Sequence, residues 1–445
     1  MANTYLTKTF SGAGNTKKWT FSAWVKKSDV GAYGTLFHAK TTGNTNFESL
    51  CITTGGNFDW EHYEYTSSSY KARLKTNRLF RDVNAFYHIM CVWDSANATA
   101  GDRMRLYVNG VEETSFDTDT NPTQNQDSII NGANAHNIGG SGASLYLSGI
   151  LSHVHFSDGY ALAPTVFGET DATTGEWKIK TSPSFTPGTN GFTILKDGNT
   201  ITDQSANSNN FALAGGTLTN TEDCPSNVFA TLNSLSYQNG TKVAAPTNGN
   251  TTLTSNGGNA WGTLLSTIGA SSGKYYCEAK LSALGSYARP GICDMSVDQQ
   301  NSNSGWYLGE TSGSAQYGYN SGNGNLYTNA GDSSYGNTFT TGDIIGIAMD
   351  LDNSKLYFSK NGTFQDSGVP TSGSTGTGAV SITADKTYGF GFSSYASTVW
   401  NVNFGNGFFG TSAISSEGSN ASGIGKFEYD VPTGYTALST KGLNE

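Results

Sequence analysis

The chain has 445 residues, enough for two or three domains that each bury a core of their own. Only 13% of the residues are charged, against roughly 25% in an average soluble protein, whereas Gly (56), Tyr (23) and Phe (23) are abundant. The formal net charge of -10 and the lack of any basic run exclude a phosphate-backbone partner, which needs clustered Lys and Arg to displace counterions, so no nucleic acid is expected.

Gly, Asn, Ser and Thr make turns, and aromatic with β-branched residues make pleated surfaces, so the composition predicts an all-β protein with many loops. The first strand with a clear face is 18–26, where Trp19, Phe21, Ala23 and Val25 share one parity and Trp24 takes the other. Short apolar pieces separated by Gly-, Thr- and Asn-rich turns follow to residue 85. Ile89–Trp93 and Met104–Val108 are strands, the second leading into Asn109-Gly110, a dipeptide suited to a type I′ hairpin turn. Residues 112–136 read as a polar loop, and the stretch from Leu145 to Phe156 supplies closing strands, so a first β-sandwich is expected over 1–167.

Residues 168–232 read as a connector punctuated by Pro183, Pro187 and Pro225, yet Trp177, Phe185, Phe192 and Phe211 are too many aromatics for a disordered linker, so it is expected to be ordered. A second sandwich is expected over 233–410. Its clearest strands are 274–281, with Tyr275, Cys277, Ala279 and Leu281 inward, and a meander over 342–362 that ends in Asn361-Gly362. Residues 411–445 are expected to pack as a tail on the surface, anchored by Phe427, Tyr429 and Tyr435.

Five widely spaced cysteines, three of them in apolar strands, read as buried small hydrophobes, not as a disulfide framework or zinc site. The N-terminus lacks an apolar signal region and no run of 18 apolar residues exists, so neither signal-directed secretion nor membrane insertion is expected. No heptad pattern is long enough for a coiled coil; a homo-oligomer would have to use sandwich or connector surfaces.

The pattern Gly342-Asp343-Ile-Ile-Gly346, Asp350-Leu-Asp352, Leu356-Tyr-Phe358 and Lys360-Asn-Gly362 resembles the central strands of a SPRY (B30.2-like) domain, a bent sandwich used for protein recognition. The upstream segments Phe86-Tyr-His88, Val92-Trp93-Asp94, Asp102-Arg-Met-Arg105-Leu-Tyr-Val108-Asn109-Gly110 and Gly149 to Glu169 resemble the laminin G-like, concanavalin A-like jelly rolls of bacteriophage structural proteins. The order of the two domains is similar to that of a phage virion protein. The resemblance implies an exterior virion component, assembled in the bacterial host cytoplasm, whose partners are other virion proteins and a host cell-surface protein or glycan. A tail fibre or adhesin is the first expectation and a capsid decoration or head fibre protein the second; a free carbohydrate-binding module or a glycan hydrolase is the third class.

Several residues are candidates for chemistry. Asp59 and Glu61 share a strand parity and could lie about 5 to 7 Å apart from strand rise, but Tyr63 stands where the hydrolase pattern has a third acid, so no enzyme activity and no catalytic residue is expected, and the pair reads as a solvent-facing strand edge. His153 and His155 lack an evident third metal ligand and read as surface polar residues. Asp94, Asn97 and Asp102 lie in one loop with oxygen donors suited to calcium, although an ordinary Asx-rich turn is the preferred reading. The segment from Gly305-Trp306-Tyr307-Leu308 through Tyr317, Tyr319 and Tyr327 concentrates amphipathic rings among Gly, Ser and Asn. Tyr307, Tyr317, Tyr319 and Tyr327 are therefore candidate ligand-binding residues, with core filling as the other reading.

Overall fold

Alternation dictates which face of each strand is buried, and the computed structural model follows it through residues 3–43, 46–142, 144–196, 198, 200–235, 242–297 and 306–444, the residues described here. Gly305 of the candidate segment lies outside them. The chain divides into two units, Met1–Asn220 and Thr221–Glu445, each a β-sandwich.

Unit 1 contains β1 (Tyr5–Thr9), β2 (Lys18–Lys27), β3 (Gly34–Lys40), β4 (Phe47–Ile52), β5 (Asn57–Glu64), β6 (Ser69–Leu79), β7 (Tyr87–Asp94) and β8 (Met104–Val108). It continues with β9 (Val111–Glu112), β10 (Phe116–Thr120), β11 (Ala135–Ile138), β12 (Gly149–Asp158), β13 (Gly168–Thr170), β14 (Trp177–Ile179), β15 (Phe192–Ile194) and β16 (Ala212–Gly215). An eight-stranded sheet runs β10-β6-β5-β4-β3-β11-β1-β16, and a six-stranded sheet runs β15-β12-β2-β7-β8-β9. Between them Trp19, Trp60 and Trp93 meet at ring distances of 5.4 to 6.3 Å. Glu48 is wholly buried beside these rings. Its carboxylate accepts from Trp60 Nε1 (3.1 Å), Ser128 Oγ (2.6 Å) and the backbone N–H groups of Ile129 and Ile130, which offsets the cost of burying charge and clips the 128–130 loop to the core.

The boundary at residue 167 is corrected. β15 pairs with β12 and β16 with β1, so residues 168–220 complete the first sandwich and are no connector. The reason lies in the aromatics: Phe192 and Phe211 fill its core, while Phe167 packs with Met90, Val92, Tyr107 and Phe185 on the outer face of the six-stranded sheet. Trp24, expected to face away from the core, is buried by the same layer and stacks on His88, whose Nδ1 accepts from Trp177 Nε1 at 3.1 Å. Gly110, at φ 77 in the β8–β9 turn, has no room for a Cβ because the Trp177 ring would lie 2.5 Å away. His153 and His155 are corrected as well: both are buried, and His155 lies against Phe167 and Phe185 with Nδ1 on Thr193 Oγ1.

Unit 2 is built from β17 (Thr252–Thr254), β18 (Trp261–Leu265), β19 (Lys274–Ala283), β20 (Tyr287–Asp294), β21 (Gln316–Tyr319), β22 (Asn325–Thr328), β23 (Gly331–Ser334) and β24 (Ile344–Asp350). Then come β25 (Lys355–Lys360), β26 (Thr363–Phe364), β27 (Val380–Ser381), β28 (Tyr388–Tyr395), β29 (Val399–Asn403), β30 (Phe408–Phe409), β31 (Ser412–Ala413) and β32 (Thr436–Ala437). One sheet runs β17-β29-β19-β24-β25-β26, with β27 on β25 and β32 on β19, and the other runs β18-β28-β20-β21-β22-β23. Asn361 and Gly362 both hold positive φ (49° and 81°), as the hairpin turn requires. Tyr275, Cys277, Ala279 and Leu281 enter the core with Ile345, Ile347, Met349, Leu356 and Phe358.

The last segment is part of this fold. Phe427, Val431, Tyr435 and Ala437 bury Tyr276, Ala348 and Tyr357 on the outer face of the first sheet. At its centre the wholly buried Glu278 carboxylate accepts the backbone N–H groups of Glu428 and Tyr429, each at 2.8 Å, and the Tyr276 hydroxyl at 3.1 Å. Burial drives the Glu278 carboxyl up to about 7 despite these donors.

Candidate functional site: a guanidinium caged by aromatic rings

In β20 the even residues Ala288 and Ile292 face the core of unit 2, so Tyr287 and Arg289 face out. Register carries this face across three strands, with Trp261 opposite Tyr395 and Tyr395 opposite Tyr287. From this register row the three rings close into a triangle, with centroids 5.3 Å apart from Trp261 to Tyr395, 6.0 Å from Tyr287 to Tyr395 and 6.2 Å from Trp261 to Tyr287. Beside the row the 306–308 segment is tied down by Thr263 Oγ1, which donates to the Trp306 carbonyl (2.6 Å), and by Leu308 N–H, which donates to Ser393 Oγ (3.0 Å). Those bonds hold Tyr307 4.9 Å from Trp261.

Arg289 lies inside this aromatic set. Its guanidinium carbon is 4.7 Å from the Trp261 ring centre, 4.2 Å from Tyr307 and 3.7 Å from Tyr327. The residue is 3% exposed, Nη1 reaches the Leu308 carbonyl at 3.4 Å, and Nε has no hydrogen-bond partner among the described residues. Burial lowers its pKa, opposed by Tyr327, Tyr307 and Glu310. The side chain can lie flat because Gly318 beneath it has no Cβ, which would stand 2.7 Å from Arg289 Cγ. Each desolvated guanidinium–ring contact contributes on the order of 1–2 kcal/mol. The cage is filled by the protein's own cation, so what it presents to solvent is ring surface: Tyr287 is 46% exposed, and Trp261, Tyr307 and Tyr395 are half-buried.

Of the four candidate tyrosines, the tied 306–308 segment brings Tyr307 to this site and strand parity brings Tyr327, while parity takes the other two away. Tyr317 and Tyr319 point into the core, Tyr319 wholly buried among Tyr335, Phe339 and Phe358 with its hydroxyl on the Asn337 carbonyl, so neither can meet a ligand. Trp261, Tyr287, Arg289 and Tyr395 are the residues that sequence reasoning missed; the available signal was the parity of Tyr287 and Arg289 against Ala288 and Ile292.

The proposed calcium loop is engaged otherwise. Asp94 pairs with Lys18 at 3.0 Å, Asn97 Oδ1 accepts the Thr99 N–H, and the Arg103 guanidinium collects the carbonyls of Asn97, Ala98 and Pro122 at 2.9 to 3.1 Å. Arg103 thus satisfies three carbonyls of this loop, while Asp94 Oδ1 is buried with no hydrogen-bond partner among the described residues. Asp102 lies in the short 3-10 turn Ala100–Asp102. Among the described residues no group of three or more His, Cys, Asp or Glu side chains could hold a metal, and no helix is long and apolar enough to cross a membrane.

Asp59 and Glu61 are also misplaced by the sequence reading, since β5 is an interior strand and the two are 3% and 8% exposed. Asp59 is held by Arg73 in a bidentate pair (Nε–Oδ1 3.0 Å, Nη2–Oδ2 2.6 Å). Burial first, and the Asp59 charge second, push the Glu61 carboxyl up to about 7.

Two β-sandwiches thus follow one another in the chain, the second with an aromatic surface. Residues 2–166 match the family described as the Concanavalin A-like lectin/glucanases superfamily, and residues 274–390 match the SPRY domain. The chain therefore carries a concanavalin A-like, laminin G-type domain followed by a SPRY domain. Among solved structures it is similar to the SPRY domain of human HERC1 (18% identity, 38% of this chain and 96% of that one, TM-score 0.30). It is also similar to the heptameric SAP-like pentraxin from Limulus polyphemus (19%, 36% and 72%, TM-score 0.28) and to a human SPRY domain (16%, 34% and 90%, TM-score 0.25). No curated protein matches the chain.

Proposed function

We propose that the chain is a non-catalytic recognition protein that binds a host cell-surface protein or glycan through the ring surface of unit 2. The observation that carries this reading is the solvent-facing set of Trp261, Tyr287, Tyr307 and Tyr395, in which Trp261 and Tyr307 stack on Arg289 and Tyr287 and Tyr395 pack on Trp261. Rings immobilised in this way offer large contact area at little conformational cost. Its setting, in this proposal, is the exterior of a bacteriophage particle, as a tail fibre or adhesin first and a head decoration second. Support for that setting comes from the residue patterns of 86–110 and 149–169 and from the domain order, an argument by fold analogy. The absence of chemistry is supported by Asp59, which Arg73 neutralises, and by Tyr63 in the place of a third acid.

The test is binding of the purified full chain to host cells and to particles, with Trp261→Ala as the probe. A tail adhesin binds cells and competes with infection, and Trp261→Ala loses at least tenfold in affinity. A decoration protein binds capsids and leaves adsorption unchanged. If the chain binds neither, and antibodies against it fail to label virions, the proposal is wrong.

A further inference from the structure

β23 ends the six-stranded sheet of unit 2, and all four of its residues, Gly331–Ser334, are exposed. It folds back on β22 through Asn329 and Ala330, both at positive φ (53° and 59°), as a two-residue hairpin turn requires. In such a hairpin the pair flanking the turn is hydrogen-bonded, and so is every second pair beyond it. Thr328 with Gly331 and Leu326 with Ser333 are those pairs, so Asp332 and Ser334 direct their N–H and C=O groups away from β22. Among the described residues nothing takes these four groups.

A row of free backbone groups is a template for one more strand. Alternation sets what that strand must show on each side. Asp332 and Ser334 share the outer face with their cross-strand partners Tyr327 and Asn325, whereas Ser333 continues the inner face from Leu326, which belongs to the core. An added strand therefore needs polar side chains beside Asp332 and apolar ones beside Ser333.

Charge decides which partner fits. The Asp332 carboxylate accepts from Asn325 Nδ2 at 2.5 Å and has no Lys or Arg partner among the described residues. At the turn, Ala330 N–H donates to the Gly309 carbonyl (3.0 Å), which sets Glu310 beside that end of the edge. Past the other end, Gln365 Oε1 accepts the Asn337 N–H (2.9 Å), which brings up the exposed Asp366. A second copy of this chain does not suit such an edge, because antiparallel self-pairing would set the two Asp332 carboxylates opposite or diagonal to each other on one face, and like charges so placed destabilise a pair. We propose that β23 is a docking edge for an extended segment of another protein that alternates basic and apolar side chains, added antiparallel with a Lys or Arg opposite Asp332. Trp261 lies on β18, at the far edge of the same sheet, so this site is independent of the ring surface.

Fluorescence anisotropy of the full chain with short labelled peptides tests this. A peptide alternating lysine and valine is expected to bind, and its glutamate–valine counterpart to bind at least about tenfold more weakly. In the antiparallel pair the lysines lie opposite Asp332 and Ser334 and supply the backbone groups that bond to them. N-methylation of the lysine amides should therefore weaken binding at least about tenfold, whereas N-methylation of the valine amides, on the peptide's other edge, should leave it within about twofold. Ser334→Pro removes one outward N–H without touching the bonds to β22, and Asp332→Asn removes the charge at an exposed position where folding is not at stake; each should weaken binding at least about fivefold. Trp261→Ala should leave binding unchanged, which separates this edge from the ring surface. Failure of the lysine peptide to bind, equal binding of the glutamate peptide, full affinity after lysine-amide methylation or in either β23 variant, or loss of binding in Trp261→Ala overturns the proposal.

Discussion

Replacing Glu278 by Gln should make the protein less sensitive to alkaline pH, although it removes a side chain with three hydrogen-bond donors around it. Burial raises the folded-state carboxyl from 4.5 to about 7, more than the Glu428 and Tyr429 N–H groups and the Tyr276 hydroxyl lower it. Between pH 4.5 and 7 the folded chain keeps a proton that the unfolded chain has released, so stability is highest below that window and falls as pH rises through it. At ~1.4 kcal/mol for each pH unit of this gap, the ionised carboxyl costs about 3 kcal/mol at pH 8. An amide cannot ionise, but its NH2 cannot accept, so one of the two backbone N–H groups held by the carboxyl oxygens loses its acceptor, at a cost of about 1–3 kcal/mol. Glu278→Gln should therefore be less stable than the wild type near pH 5, lose most or all of that deficit by pH 8, and show a flat profile between. Urea unfolding of the full chain at each pH measures this, and hydrogen exchange of the 426–432 backbone reports whether the tail loosens first in the wild type. A wild-type profile that is flat from pH 5 to 8, or a Gln variant whose stability falls with pH as steeply as the wild type's, would refute the reasoning.

Arg103→Ala should destabilise unit 1 by about 1–3 kcal/mol in urea unfolding, because three backbone carbonyls lose their donor. Arg103→Lys should recover less than half of that, since an ammonium cannot fork to three carbonyls. Millimolar calcium should not raise the thermal midpoint of the wild type; a rise that Asp94→Asn abolishes would show that the loop does bind the ion. Of the five thiols, Cys224 is partly exposed and the other four are buried, so an aromatic disulfide reagent should titrate one thiol quickly in the native chain and five in denaturant. Two or more fast thiols without denaturant would contradict the packing of Cys51, Cys91, Cys277 or Cys293.

Much of the architecture is written in period-two patterns. Trp19, Phe21, Ala23 and Val25, and again Tyr275, Cys277, Ala279 and Leu281, declare a strand and its inner face from their spacing alone, and Asn109-Gly110 and Asn361-Gly362 declare their turns. Two sandwiches follow from there, because each apolar face needs another to cover it. Where the first sandwich ends did not follow. β15 and β16 are only three and four residues long, too short for a pattern to stand out, and they are strands because β12 and β1 offer them free edges.

The sites divide in the same way. That the chain is rich in tyrosine among glycine and asparagine was plain from its composition, and so was the lack of a third acid after Asp59 and Glu61. Which tyrosines reach solvent was settled by strand parity around Gly318, which turns Tyr317 and Tyr319 inward, and by the register that brings Tyr327 over Arg289. Trp261, Tyr287 and Tyr395 come from strands separated by up to 134 positions in the chain, yet share one row because β18, β28 and β20 are neighbours in the sheet. Local spacing determines what a strand can show on each face; only the order of strands in a sheet decides which side chains meet, since hydrogen bonds between strands join residues that no window of sequence contains.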